Sequence, residues 1–151
     1  MSILTRLASP AEYRKLSTWF TDAGQAAPTL ADMVLLAEEG DELCGGLRVV
    51  MARGLIRLDS VVTRDEVVLQ LLLQQLGRWI GREECWAVVT ADALPMYLAA
   101  GFVQQDAAPD TLIEEAKAGS LHIILRPVLA DAEATAQIAQ AASGGRALPA
   151  A

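Results

Sequence analysis

Residues 85–105 constrain this chain more than any other segment. Cys85 to Thr90 is a short apolar run with the length and composition of a buried strand. Next comes ALPMYLAA, long enough for a one-turn helix that carries Tyr97. Gly101 stops that helix, and Phe102 opens a second strand. Strand, short helix, glycine and strand form a compact unit that sets one phenol beside a cleft, where a phenol can hand over a proton.

The rest of the chain supplies a sheet for this unit. Ile3 to Leu7 reads as a first strand. Ser9 and Pro10 start a helix as N-cap and first helical residue, Tyr13, Leu16, Trp19 and Phe20 recur at helical spacing, and Gly24 is its stop. Gln25 to Leu30 is a loop. Three strands then follow in a row, Met33 to Ala37, Leu43 to Met51 and Leu55 to Thr63, as an antiparallel meander. The pair Gly45 and Gly46 inside the second points to a bulge or a close backbone approach. In the third, Ile56, Leu58, Ser60 and Val62 share one face by simple alternation, and Arg57, Asp59 and Val61 the other.

Asp65 or Thr63 caps a long helix reaching Ile80 or Arg82, with Gly77 inside it marking close packing or an early end. Strand, helix and strand here make a right-handed crossover between parallel neighbours. Leu112 to Ala118 reads as a short helix or a flap. Leu121 to Val128 is a last strand, covered on both faces. The expected division is a domain over 1–129 and an alanine-rich tail over 130–151, helical to Ala142 and flexible beyond.

Charge and composition remove several classes of function. The chain has 151 residues, 53% of them hydrophobic and 21% charged, which fits one soluble domain with its own core. A net charge of −7 repels phosphate backbones, so nucleic acid is not an expected partner. No run approaches the roughly 20 apolar residues of a membrane helix, and no apolar signal core opens the chain. The expected compartment is the cytoplasm, with no membrane partner. One histidine and two separated cysteines, Cys44 and Cys85, offer no metal-ligand spacing, and both thiols read as reduced core residues. His122, in the last strand, reads as a core or edge histidine. A mean hydropathy of +0.32 and three tryptophans, Trp19, Trp79 and Trp86, favour a homodimer.

The order β-α-β-β-β-α-β-α-β-β, with Tyr97, Gly101 and Phe102 placed after the right strand and helix, resembles the GNAT superfamily of N-acetyltransferases and its Y-x-x-x-G-F signature. The resemblance spans residues 2–129. It implies an α/β (α+β) fold with a mixed, mostly antiparallel central sheet of six to seven strands flanked by helices. It also implies a gap between the fourth and fifth strands for the pantetheine arm of acetyl-CoA, and transfer of an acyl group to a small-molecule or protein amine. By the resemblance, Tyr97 protonates the departing thiolate, Asp59 on the fourth strand is the candidate base, and Asp92 a second choice that more simply caps the Tyr97 helix. Ser60, Val61, Val62, Arg64, Val67 and Val68 take the donor-binding positions. Gln25 to Leu30 and Ala107 to Ser120 line the acceptor pocket.

The sequence departs from the family at one place. The glycines that wrap a pyrophosphate at a helix N-terminus are missing between Thr63 and Gln70, where Asp65 and Glu66 stand instead. Two outcomes follow: an acyltransferase that holds its donor differently, or a non-catalytic regulatory or protein-binding module that has lost or weakened the donor.

Overall fold

The computed structural model describes residues 2–52 and 54–126. The tail over 130–151 and the last two residues of the expected final strand lie outside the described residues. β1 (Ile3–Leu7) leads through a 3-10 turn (Pro10–Glu12) into α1 (Tyr13–Asp22). β2 (Met33–Glu39), β3 (Glu42–Ala52) and β4 (Leu55–Thr63) form the meander. α2 (Glu66–Ile80) crosses to β5 (Cys85–Val89), and α3 (Leu94–Ala99) follows. β6 (Val103–Gln104), α4 (Asp110–Gly119) and β7 (His122–Arg126) complete the described chain. The segment left open as helix or flap is thus helical.

One seven-stranded sheet results, in the order β1-β2-β3-β4-β5-β7-β6. Every neighbouring pair is antiparallel except β4 with β5, which the α2 crossover makes parallel. α2 and α3 cover one face, where Leu72, Leu76 and Tyr97 pack with Leu47, Leu58 and Cys85. The opposite face is shared. α1 covers the β2 side through Leu16 and Phe20, and α4 covers β5 and β7 through Leu112 and Ala116. Ile123 and Ile124 of β7 are buried on opposite faces, as expected of a strand covered twice.

Two irregularities shape the sheet. On β3 the register to β2 moves from Ala37–Gly45 to Glu38–Leu43, so Cys44 is an inserted residue. Beside it, a Cβ on Gly45 would stand 2.5 Å from Val68 Cγ1 and 2.9 Å from Leu72 Cδ1. A Cβ on Gly46 would stand 2.9 Å from Trp19 Cζ3. The glycine pair lets α2 and α1 press on opposite faces of the sheet at the same point.

The second bulge overturns the simple alternation expected along β4. The β3–β4 register runs Arg48–Ser60 and then Val49–Leu58, which leaves Asp59 without a partner. One extra residue reverses the facing of everything after it. Ile56, Leu58 and Val61 therefore pack on the α2 side, while Val62 joins the α1 cluster and Ser60 turns to the loop after α1.

Gly45→Ala tests the close approach. The methyl group overpacks the α2 contact, a change that costs about 1–3 kcal/mol. At this chain length each kcal/mol lowers Tm by roughly 2–4 °C. An unchanged melting temperature would show that α2 does not sit on β3 this tightly.

Candidate active site

The parallel pair β4–β5 is in register only at Arg57 and Trp86, near the N-terminal ends of both strands. β5 is held along its whole length by β7 instead. Beyond the Asp59 bulge the two central strands part, and a gap opens between them. Which β4 groups face it follows from alternation. Arg64 N–H donates to Cys44 C=O at 2.8 Å, so Val62 and Ser60 also turn their backbone to β3, and Val61 and Thr63 turn theirs to the gap. The chain partly fills this space itself. Gln25 Oε1 accepts from Val61 N–H at 3.4 Å, and Ser60 Oγ donates to Ala26 C=O at 3.4 Å. Both contacts are long, at the weak end of hydrogen bonding.

At the mouth of the gap stands the N-terminus of α2. Of the two expected caps, Asp65 is the one used: its Oδ1 accepts Val68 N–H at 3.0 Å. Thr63 Oγ1 donates to Asp65 C=O at 2.7 Å and braces the turn. The Asp65 carboxyl is held below its ordinary range, chiefly by the Val68 N–H and then by Arg64. Arg64 is itself engaged, with Nη1 3.0 Å from Glu39 and Nε 3.2 Å from Asp65. Val67 is 71% exposed, and the Val68 side chain is buried in the core. On the other side of the mouth, Gln70 Nε2 donates to Met96 C=O at 2.6 Å and ties α2 to α3.

Tyr97 sits where α3 meets the core. Gly101 N–H donates to Leu98 C=O and Phe102 N–H to Tyr97 C=O, both at 3.1 Å, with Gly101 at φ 102°. This is a Schellman closure, and its usual apolar contact between the flanking residues is here Phe102 against Tyr97, edge to face at 5.6 Å. Only glycine adopts that φ without strain. Tyr97 is 5% exposed, and its phenol is pushed up to about 12 by burial, with the nearby Cys85 adding to it. The phenol is therefore fully protonated near neutrality. The Cys85 thiol is raised to about 11 by burial, and Cys44 is raised by the same cause, so neither is a ready thiolate. Asp92 does not cap the helix as expected. Ala93 takes the cap position, and its N–H reaches Thr90 Oγ1 at 3.4 Å.

Asp59 lies on the opposite side of the sheet from Tyr97, in a chain of charges. Arg48 Nε donates to Asp32 Oδ2 at 2.7 Å, and Arg48 Nη1 pairs with Asp59 Oδ2. Arg57 Nε stands 3.3 Å from Asp59 Oδ1, buried and without hydrogen-bond alignment, while its Nη2 pairs with Glu115 of α4. Both oxygens of Asp59 thus face guanidinium groups. Tyr97 and Asp59, the acid and base candidates, therefore lie on opposite faces of the sheet. Sequence reading placed Gln25 only in the loop assigned to the acceptor pocket and missed Asp32 and Gln70 as participants, because each acts through a long-range contact that no local pattern encodes. His122 stays at the β6–β7 edge, with Nδ1 2.9 Å from Gln104 Nε2. Among the described residues no group of three or more His, Cys, Asp or Glu side chains could hold a metal ion, and no helix is long and apolar enough to cross a membrane.

No protein-family profile matches the sequence, and no curated protein matches it significantly. Solved structures do match. An acetyltransferase from Bacillus subtilis in complex with CoA superposes with a TM-score of 0.56 at 14% identity, covering 85% of this chain and 100% of that one. An acetyltransferase of the GNAT family from Streptococcus pneumoniae gives 0.56 at 14% identity over 82% and 98%. N-acetylglutamate synthase from Neisseria gonorrhoeae, complexed with coenzyme A and N-acetylglutamate, gives 0.61 at 15% identity over 85% of this chain and 36% of that one. The chain has the GNAT fold. Within this fold the chain has a divided sheet and a tyrosine on the short helix α3, and it presents a carboxylate at the helix end beside the gap.

The Asp65 cap makes a prediction about acid. Because its carboxyl is lowered on folding, its stabilisation is complete above the unfolded-state pKa and fades as pH falls through the lower folded-state pKa. Asp65→Ala should melt below the wild type at pH 7, and the difference should shrink as the solution is acidified below the ordinary carboxylate range. A difference that stays constant into strong acid would contradict the ionised cap.

Proposed function

We propose that this chain is an acyl-CoA-dependent N-acyltransferase, moving an acetyl group to an amine. The observation that carries the reading is the parallel β4–β5 pair fastened at one point, with Val61 N–H turned into the opening. An extended amide chain entering there pairs with β4 as an added strand would. Gln25 is the group it displaces.

In the proposed reaction the amine nitrogen attacks the thioester carbonyl carbon. A C–N bond forms, the C–S bond breaks, and the sulfur leaves as a thiolate. Tyr97 supplies the proton to that sulfur and regains one from solvent. Its raised pKa favours the protonated form in which it acts. Asp59 accepts the proton lost by the amine, loosening one of its two arginine contacts as it does so. The two roles fall on the two sides of the gap, so donor and acceptor meet from opposite faces. The acidic surface favours a cationic amine acceptor, small molecule or protein.

A second reading keeps the fold and drops the chemistry: a regulatory or protein-binding module. Asp65 favours it, since a carboxylate already occupies the helix end that would grip an anion. Thermal melting with acetyl-CoA separates the two. A ligand at 100 times its dissociation constant adds about 2.7 kcal/mol to the native state. The transferase reading expects a clear upward shift in Tm, and no shift at millimolar acetyl-CoA would end it. Given binding, Tyr97→Phe should slow turnover and leave donor affinity in place. Unchanged turnover would remove Tyr97 from the role of acid.

A further inference from the structure

Resting on the acyltransferase reading, we propose that this chain recognises its donor as an acyl-pantetheine thioester and draws no affinity from the nucleotide phosphates. Helix N-termini bind phosphate because their first N–H groups are free and carry partial positive charge. At α2 the Asp65 carboxylate has taken the Val68 N–H, and Glu66 adds a second negative charge beside it. Arg64, the basic residue at this turn, is paired with Glu39 and Asp65. Among the described residues, Arg57 on β4 is likewise held, by Asp59 and Glu115, and the facing wall adds no cation. Residues 65–77, which include most of α2, and residues 83–116, which include β5, α3 and β6, contain no lysine or arginine. The whole chain adds a net −7, which repels a polyanion at long range.

The gap itself is different. Its β4 edge offers the Val61 N–H, held by the neutral Gln25 amide at 3.4 Å. Pantetheine is a neutral chain of two amides, so its carbonyls can replace that contact with a shorter one without moving any charge. The polar complement of this site therefore ends where the phosphates begin.

The test compares acetyl-CoA with S-acetyl-pantetheine by calorimetry on the full chain, in the wild type and in Asp65→Gly, glycine being tolerated at an N-cap. The wild type should bind both within about threefold, and added salt should tighten acetyl-CoA alone by screening repulsion. Asp65→Gly should improve acetyl-CoA by several-fold and leave S-acetyl-pantetheine unchanged. Wild-type binding of acetyl-CoA tighter by about tenfold or more would overturn the inference and leave the transferase reading standing. An Asp65→Gly ratio equal to that of the wild type would overturn the part assigned to the carboxylate. Failure of both thioesters to bind the wild type would remove the transferase reading itself.

Discussion

The extra residue at Asp59 sets the geometry of β4 and of everything built on it. Where it enters, β4 leaves its parallel partner β5, with which it is in register only at Arg57 and Trp86. With it, the strand bends and twists after Leu58, and the facing of Ser60, Val61 and Val62 reverses. The outward-turned Val61 N–H and the position of Asp59 itself are consequences of one insertion, and the sheet divides beside it. The division has a cost, since a buried backbone group without a partner forfeits about 1–3 kcal/mol. Gln25 recovers part of this with its side chain, which explains why the loop after α1 leans over the gap.

The two faces of the sheet are built for different work. The α2 face is apolar and dense, and it carries Tyr97, Phe102 and Cys85 deep inside. The strip of the other face that α1 and α4 leave between them is charged. Asp32, Arg48, Asp59, Arg57 and Glu115 alternate in sign across it and fasten α4 to the meander. Ion pairs that are partly open to water contribute little each, but a network also fixes geometry. It holds the bulge residue in one orientation, as a base at the edge of a gap would need.

Much of the fold was legible in the sequence. Strand and helix existence followed from apolar periodicity, and the glycine pair at Gly45 and Gly46 pointed to close packing because few other roles suit two glycines in a strand. The Y-x-x-x-G-F unit was legible too, and the structure gives its local reason. Gly101 adopts the φ that a Schellman closure needs, and Phe102 folds back on Tyr97. The motif therefore specifies a helix end first, and chemistry can be laid on top of it. The site was less legible. Strand alternation misplaced Ser60, Val61 and Val62, because a bulge in one strand depends on register with another. The ion network joins residues up to 58 positions apart, a pairing that spacing along the chain does not reveal.

Beyond Asp59, β4 faces β3 on one side and open space on the other. Amide hydrogen exchange of β4, residue by residue, distinguishes the two sides. Alternation is expected: Ser60 and Val62, bonded to β3, exchange slowly, while Val61 and Thr63 exchange much faster. Uniformly slow exchange from Leu58 to Thr63 would mean that β4 is zipped to a neighbour on both sides, and would contradict the divided sheet.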